Sequence, residues 1–305
     1  MSERTAVIFP GQGSQFEGMA DPWTTHHAGR AVLEETSESL GSDVVAGCHD
    51  VAVMATTSFV QPALLACGVA AFRVLEAEGL EDPVGVAGHS LGEFAALVAS
   101  GAMSLPDALA VVVVRGEAMQ RAGRERPGTM TALVGVGAAD AQAMIDEVRD
   151  DDVLVVANEN SPAQVVASGS VPAIERLETL AKERKTRAIR LQVTGAFHSE
   201  LMRAAVEPVL EVLGRIELGA PSFPIAENVT GELVTDPGRL RELIGVQVVS
   251  PVRWETGIRT LAGAGAARFI EAGAGDVLTR LMKRIVPEAA AVAIGSPDDV
   301  AALAG

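Results

Sequence analysis

A serine hydroxyl becomes a useful nucleophile at neutral pH only if the fold exposes it and a nearby base takes its proton. The segment Gly88-His89-Ser90-Leu91-Gly92 meets the first condition. A short apolar run at 84–87 leads into it and a helix-forming stretch follows at once. That G-x-S-x-G arrangement puts Ser90 at the tip of a tight strand-to-helix corner. Gly88 and Gly92 carry no side chains to crowd the turn, and the new helix directs its positive end toward the hydroxyl. A glycine-bearing loop with an incidental serine has the same five letters. The strand before it and the helix after it favour the nucleophile.

The base must come from elsewhere in the chain. Of five histidines, His26, His27 and His49 lie in a polar stretch and read as surface residues. His89 is adjacent to Ser90, but neighbouring side chains on a sharp corner diverge. His198, just past a predicted strand, is left as the partner for Ser90, and an imidazole suits a proton that must be taken and returned. A hydrolase triad would add an acid between them. Asp107, Asp140, Asp151 and Asp152 are available, yet none sits convincingly at a strand end. A dyad with its imidazole oriented by a neutral acceptor is therefore expected.

Two other features bear on chemistry. The loop Gly11-Gln12-Gly13-Ser14-Gln15 follows a strand at 5–10, but Phe16 stands where G-x-G-x-x-G needs its third glycine and no Walker lysine follows. Such a loop is better suited to offering backbone N–H groups to an oxyanion than to holding a nucleotide. Arg115 comes directly after four valines in a helix. It either snorkels to the surface or is a buried charge that needs an anionic partner.

The elements that must position these groups are those of an α/β chain. A long helix is predicted over 61–78 with Pro62 in its first turn, then the serine corner, then a helix closed by Gly101. Ser104 caps a further helix with Pro106 in its first turn, and Gly123 with the following RERPG marks a boundary. From 129 to 193 the pattern reads β-α-β-β-α-β, the order of a ferredoxin-like unit. Beyond 194 strands and helices alternate again: strands at 224–229, 267–271 and 290–294, helices at 238–246, 254–262 and 277–285. The division expected is 1–125 and 194–305 as one hydrolase-like α/β domain, with 126–193 inserted as a ferredoxin-like subdomain.

Composition narrows the classes. With 48% hydrophobic and 21% charged residues the chain can bury a large core and is unlike a disordered protein. A formal charge of −16 argues against nucleic acid or an anionic membrane as the main partner. No membrane span or signal peptide is read, and two cysteines form neither a disulfide framework nor a metal spacing, which fits the cytoplasm.

Seven motifs in order resemble those of the malonyl-CoA:acyl-carrier-protein transacylases, over nearly the whole chain. They are Phe9-Pro10-Gly11-Gln12-Gly13-Ser14-Gln15, Gln61-Pro62-Ala63, Gly88-His89-Ser90-Leu91-Gly92-Glu93, Arg115-Gly116-Glu117-Ala118-Met119-Gln120, NENSPAQ at 158–164, Gly195-Ala196-Phe197-His198-Ser199 and QVVSPVRW at 247–254. The resemblance implies a malonyl ester on Ser90, His198 as base, and backbone N–H groups of Gln12 and Leu91 as the oxyanion hole. It implies that Arg115 holds the malonyl carboxylate, that the backbone carbonyl of Gln247 orients His198, and that Gln61 and Asn160 line the cleft. Phe197 resembles the malonyl-selective form. The chain departs from many relatives at Gly273-Ala274-Gly275, where they have Gly-Pro-Gly, and matches poorly over 21–60.

The implied reaction moves malonyl from malonyl-CoA to the phosphopantetheine thiol of an acyl carrier protein by a ping-pong route. No cofactor is required, and a monomer is expected. The rival readings are a serine esterase or thioesterase, an acyltransferase for another acyl-CoA in polyketide synthesis, and a carrier-binding protein without catalysis. An acidic carrier would need a local basic patch, for which 182–190 and 280–284 are candidates beside the plainer reading of solvated helix faces.

Overall fold

The structure, a computed structural model, describes residues 4–303. Its strands in chain order are β1 (Thr5–Phe9), β2 (Gly85–Gly88), β3 (Gly128–Val134), β4 (Leu154–Ser161), β5 (Gln164–Ser170), β6 (Arg187–Arg190), β7 (Ile225–Ala226), β8 (Leu233–Val234), β9 (Arg268–Ala272) and β10 (Ala290–Ile294). They form two sheets, so the chain is α/β.

The larger sheet has the order β10-β9-β1-β2-β7-β8, parallel except for the β7–β8 pair at one edge. A parallel sheet covered on both faces needs consecutive apolar residues, and Ala6 through Phe9 are all fully buried. Val7 and Phe9 pack into the cluster built on the helices Thr57–Ala77, Gly92–Ala99 and Leu105–Glu125. Ala6 and Ile8 face the helices Trp254–Gly263 and Val277–Ile285. Because Phe9 pairs with Gly88, the loop after β1 and the corner after β2 emerge side by side at the carboxyl ends of the strands. Open α/β sheets carry their sites at that end.

The second sheet runs β4-β5-β3-β6, with every pair antiparallel. Along β3 the side chains alternate. Leu133 faces Ile145 and Leu177 on the helices Ala138–Val148 and Val171–Glu183, while Met130 and Ala132 face Met119, Phe197 and Met202 of the main body. Hydrogen bonds tie β4 to the other part of the chain, from Glu159 N to Val252 O at 2.9 Å and from Val252 N to Ala157 O at 2.8 Å. They hold the segment around 247–252 against the small sheet.

Some boundaries differ from the sequence reading. The long helix begins at Thr57, so Pro62 is its sixth residue rather than a first-turn residue. The burial of nearly every side chain around this helix outweighs the one backbone hydrogen bond that proline cannot donate. The helix is long and apolar enough to cross a membrane, but 83% of that window is buried inside the protein. The helix capped by Ser104 runs through Gly123 to Glu125. Helices at Val206–Leu213 and Pro297–Leu303 and the two-residue β8 had no sequence expectation; each is short and buries few side chains.

Candidate active site

The serine corner is as tight as its glycines require. A Cβ on Gly88 would lie 1.9 Å from the Gly92 carbonyl, and one on Gly92 would lie 2.2 Å from Phe9 O. Ser90 itself adopts φ 53°, a left-handed conformation that costs a non-glycine residue ~1–3 kcal/mol. The turn is held by His89 N donating to Phe9 O and Gly92 N donating to His89 O. Ser90 opens into a cavity of about 320 Å³ lined by Gln12, Gln61, Leu91, Arg115, Phe197 and His198, among others. A larger, shallower hollow of about 690 Å³ lies at the amino ends of the strands, around Arg4, Val84 and Arg268, and its walls hold no serine–histidine pair.

His198 Nε2 stands 2.8 Å from Ser90 Oγ. Its Nδ1 is 3.0 Å from the backbone oxygens of both Gln247 and Ser250. Carbonyl oxygens only accept, so Nδ1 carries the proton and Nε2 is free to take one from the serine. Burial, helped by the charge of Arg115, pushes the imidazole down to about 3. It is therefore neutral, the form a base requires, throughout the neutral range. Among the described residues no carboxylate touches it. Asp107 binds Ser104 at a helix start, Asp152 pairs with Arg176, and Asp140 sits in the first turn of a helix. The Ser250 carbonyl was missed from sequence, although the residue lies inside the QVVSPVRW motif.

Arg115 is 1% exposed. Its Nη1 donates to Gln61 Oε1 at 2.7 Å, and Nη2 donates to Gln247 Oε1 at 2.9 Å and to Ser90 Oγ at 3.0 Å. Nε is buried without a partner. Burial lowers the guanidinium to about 10, opposed by the charge of Glu93, so it stays cationic at neutral pH. A buried cation facing a cavity through neutral amide oxygens leaves its charge available to an entering anion.

The loop after β1 is pinned by Ser14 Oγ donating to Gly11 O at 2.8 Å. Among the described residues neither Gln12 N–H nor Leu91 N–H has an acceptor, and both residues line the cavity. Phe197 lines it too. Asn160 is placed differently from the cleft-lining expectation. It sits behind the wall, its Oδ1 2.9 Å from His89 Nε2 and its amide donating to Gln164, while Asn158 on the same strand faces the cavity. The Asn160 contact also shows His89 turned away from Ser90 Oγ.

Two buried residues around the corner were not singled out from sequence. Glu93 follows the serine motif, and Asn228 follows β7. Burial and the neighbouring Glu227 push the Glu93 carboxyl up, but Asn228 N and Gln247 Nε2 each donate to one of its oxygens. A protonated carboxyl would set its own O–H against one of these donors, so the hydrogen-bond geometry holds the ionised form. No group of His, Cys, Asp and Glu suited to a metal occurs among the described residues. In the two basic stretches, Arg184, Arg190 and Arg280 are each paired with an acid.

A strand-corner serine, a carbonyl-oriented histidine and a free pair of N–H groups define an acyl-transfer site, and the chain belongs to the acyl transferase domain family, whose model matches residues 6–301. Among relatives, it is 37% identical over 302 residues to the malonyl CoA-acyl carrier protein transacylase of Bacillus subtilis, covering 97% of this chain and 95% of that one. An acyl carrier protein S-malonyltransferase from Vibrio cholerae superposes with a TM-score of 0.94 at 36% identity, covering 98% of this chain and 99% of the other. A malonyl-transacylase solved with its type II polyketide acyl-carrier protein gives 0.94 at 34% identity, covering 98% of each chain.

Proposed function

We propose that this protein transfers a malonyl group from malonyl-CoA to the phosphopantetheine thiol of an acyl carrier protein, through an ester on Ser90. The observation that carries the reading is the position of Ser90 Oγ, 2.8 Å from His198 Nε2 and 3.0 Å from a buried arginine. The nucleophile thus has a base on hand and a cation for a carboxylated acyl group.

In the first half-reaction His198 Nε2 takes the Ser90 proton as Oγ attacks the thioester carbon. The N–H groups of Gln12 and Leu91 hold the resulting oxyanion, a contribution worth ~3 kcal/mol per donor. The C–S bond breaks and the proton on His198 passes to the CoA sulfur. In the second half the carrier thiol gives its proton to His198 and its sulfur attacks the ester. The C–O bond breaks and the proton returns to Ser90. Arg115 binds the malonyl carboxylate throughout, and the carbonyls of Gln247 and Ser250 keep the imidazole aligned. An acyl group without a carboxylate leaves the buried guanidinium without an anion. Gln61 holds Arg115 from one side, and Phe197 shapes the apolar wall.

The same reading takes 1–125 and 194–305 as one hydrolase-like α/β unit and 126–193 as an inserted ferredoxin-like subdomain; the β-α-β-β-α-β order of β3–β6 supports it. It needs no cofactor beyond the pantetheine of the partner and fits a monomer in the cytoplasm.

Intact-mass measurement after brief exposure to malonyl-CoA tests the proposal. A malonyl adduct that is lost in Ser90→Ala and discharged by carrier protein supports it. No adduct, or release of free malonate as fast as the carrier is loaded, rules it out.

A further inference from the structure

Every hydrogen-bonding group of Ser90 is engaged, and two of the bonds lead to one buried carboxylate. Ser90 N donates to Asn228 Oδ1 at 2.7 Å, and Asn228 Nδ2 donates to Gly88 O at 2.7 Å. Asn228 therefore grips the corner on both sides of His89, and its own backbone N–H donates to Glu93 Oε1 at 3.0 Å. On the other side Ser90 O accepts from Gln247 Nε2 at 3.0 Å, and the same amide nitrogen donates to Glu93 Oε2. The Gln247 amide is thereby fixed, with its nitrogen toward Glu93 and its oxygen toward Arg115 Nη2.

We propose that Glu93 is a positioning residue that holds the Ser90 peptide through Asn228 and sets the direction of the Arg115 fork through Gln247. It touches neither the reacting atoms nor the acyl group. The assignment follows from donor and acceptor counts. Two N–H donors converge on Glu93, and a carboxylate supplies an acceptor for each. A glutamine of the same shape has one acceptor and one donor, so either orientation sets N–H against N–H in one arm. If the Gln247 amide turns to relieve this, it presents N–H to Arg115, which has no lone pair to accept it. The two arms also have separate effects. The Asn228 arm steadies a serine held in a left-handed conformation, and hence the rate of acylation. The Gln247 arm aims the cation, and hence the preference for a carboxylated acyl group.

This inference rests on the malonyl-transfer reading, and its test keeps the two apart. Acylation of the full-length protein is followed by rapid quench and intact mass with malonyl-CoA and with acetyl-CoA. Failure of the wild-type protein to form an adduct overturns the underlying reading. With wild-type acylation in hand, Glu93→Gln is expected to lower the maximal malonyl rate at least ten-fold and to shrink the malonyl-to-acetyl ratio by a similar factor. Asn228→Ala is expected to lower the rate while leaving that ratio within about two-fold of wild type. A Glu93→Gln protein with both rate and ratio within two-fold of wild type overturns the proposal. So does an Asn228→Ala protein that acylates at the wild-type rate, which decides the matter if Glu93→Gln does not fold.

Discussion

Arg115 Nη2 donates a hydrogen bond to Ser90 Oγ at 3.0 Å, so the residue proposed to select the acyl group also touches the nucleophile. The cation steadies negative charge on Oγ as the proton leaves, and its remaining bonds go to neutral oxygens of Gln61 and Gln247. Under the proposed function, selection and activation would be joined in one side chain.

Arg115→Ala is accordingly expected to slow acylation by malonyl-CoA about 100-fold or more, the equivalent of ~3 kcal/mol of lost charge-assisted bonding. Acetyl-CoA, which brings no carboxylate, should be affected less. Rates of adduct formation with both thioesters measure this. A malonyl-to-acetyl ratio that survives the substitution would remove Arg115 from substrate selection. Arg115→Lys should recover little, because an ammonium does not reproduce the planar fork that meets two amide oxygens and the serine.

The buried imidazole makes stability depend on acid. The folded-state pKa of His198 is depressed to about 3 against an ordinary value near ~6.5. Below ~6.5 the unfolded chain binds a proton that the folded protein refuses, so stability is lost as pH falls from there toward about 3. At pH 5 this one group should cost about 2 kcal/mol relative to pH 7. Urea midpoints at the two pH values, compared between wild type and His198→Ala, give the test. The variant should lose less stability on acidification, and equal losses would contradict the depressed value.

Gly88→Ala adds one methyl group where the backbone of Gly92 passes at 1.9 Å. The strand and the helix cannot both keep their places around it, so a destabilisation of at least ~3 kcal/mol is expected. A thermal melt should show it. An unchanged midpoint with unchanged acylation would mean that the corner is looser than the geometry indicates.

How much of this was written in the chain depends on the range over which a contact is made. The corner at Ser90 is local, a strand, two glycines and a helix within fourteen residues, and it can be read directly. The pairing with His198 spans 108 residues but was reachable by elimination, since the other histidines lay in a polar stretch or on the wrong side of the turn. The absent acid was legible in the same way, because a carbonyl partner leaves no mark in side-chain identity. The bracing of Ser90 by Asn228 and Gln247 spans 138 and 157 residues, and Asn and Gln are too common to announce such a role. Asn160 shows the limit of motif position: a register shift in β4 between Glu159 and Ser161 puts an irregularity beside it, and Asn158 takes the cavity face. Pro62 misled because proline usually opens a helix, and here a largely buried helix accommodates it in the sixth position.

The two peptide oxygens on His198 Nδ1 have a consequence for the loaded enzyme. An aspartate in their place would make the imidazole a stronger base and set a fixed negative charge near a substrate that carries its own. Peptide oxygens do neither, and a weakly basic imidazole takes a proton from a thiol, with a pKa near ~8.5, far more readily than from water, near ~15.7, which lacks the Arg115 hydrogen bond that steadies Ser90 Oγ. The malonyl ester should therefore outlast many encounters with solvent and surrender its cargo when sulfur arrives, which separates a transferase from an esterase without any barrier to water. Slow hydrolysis of the isolated malonyl-enzyme beside fast discharge to a pantetheine thiol is the behaviour this predicts, and equal rates would contradict it.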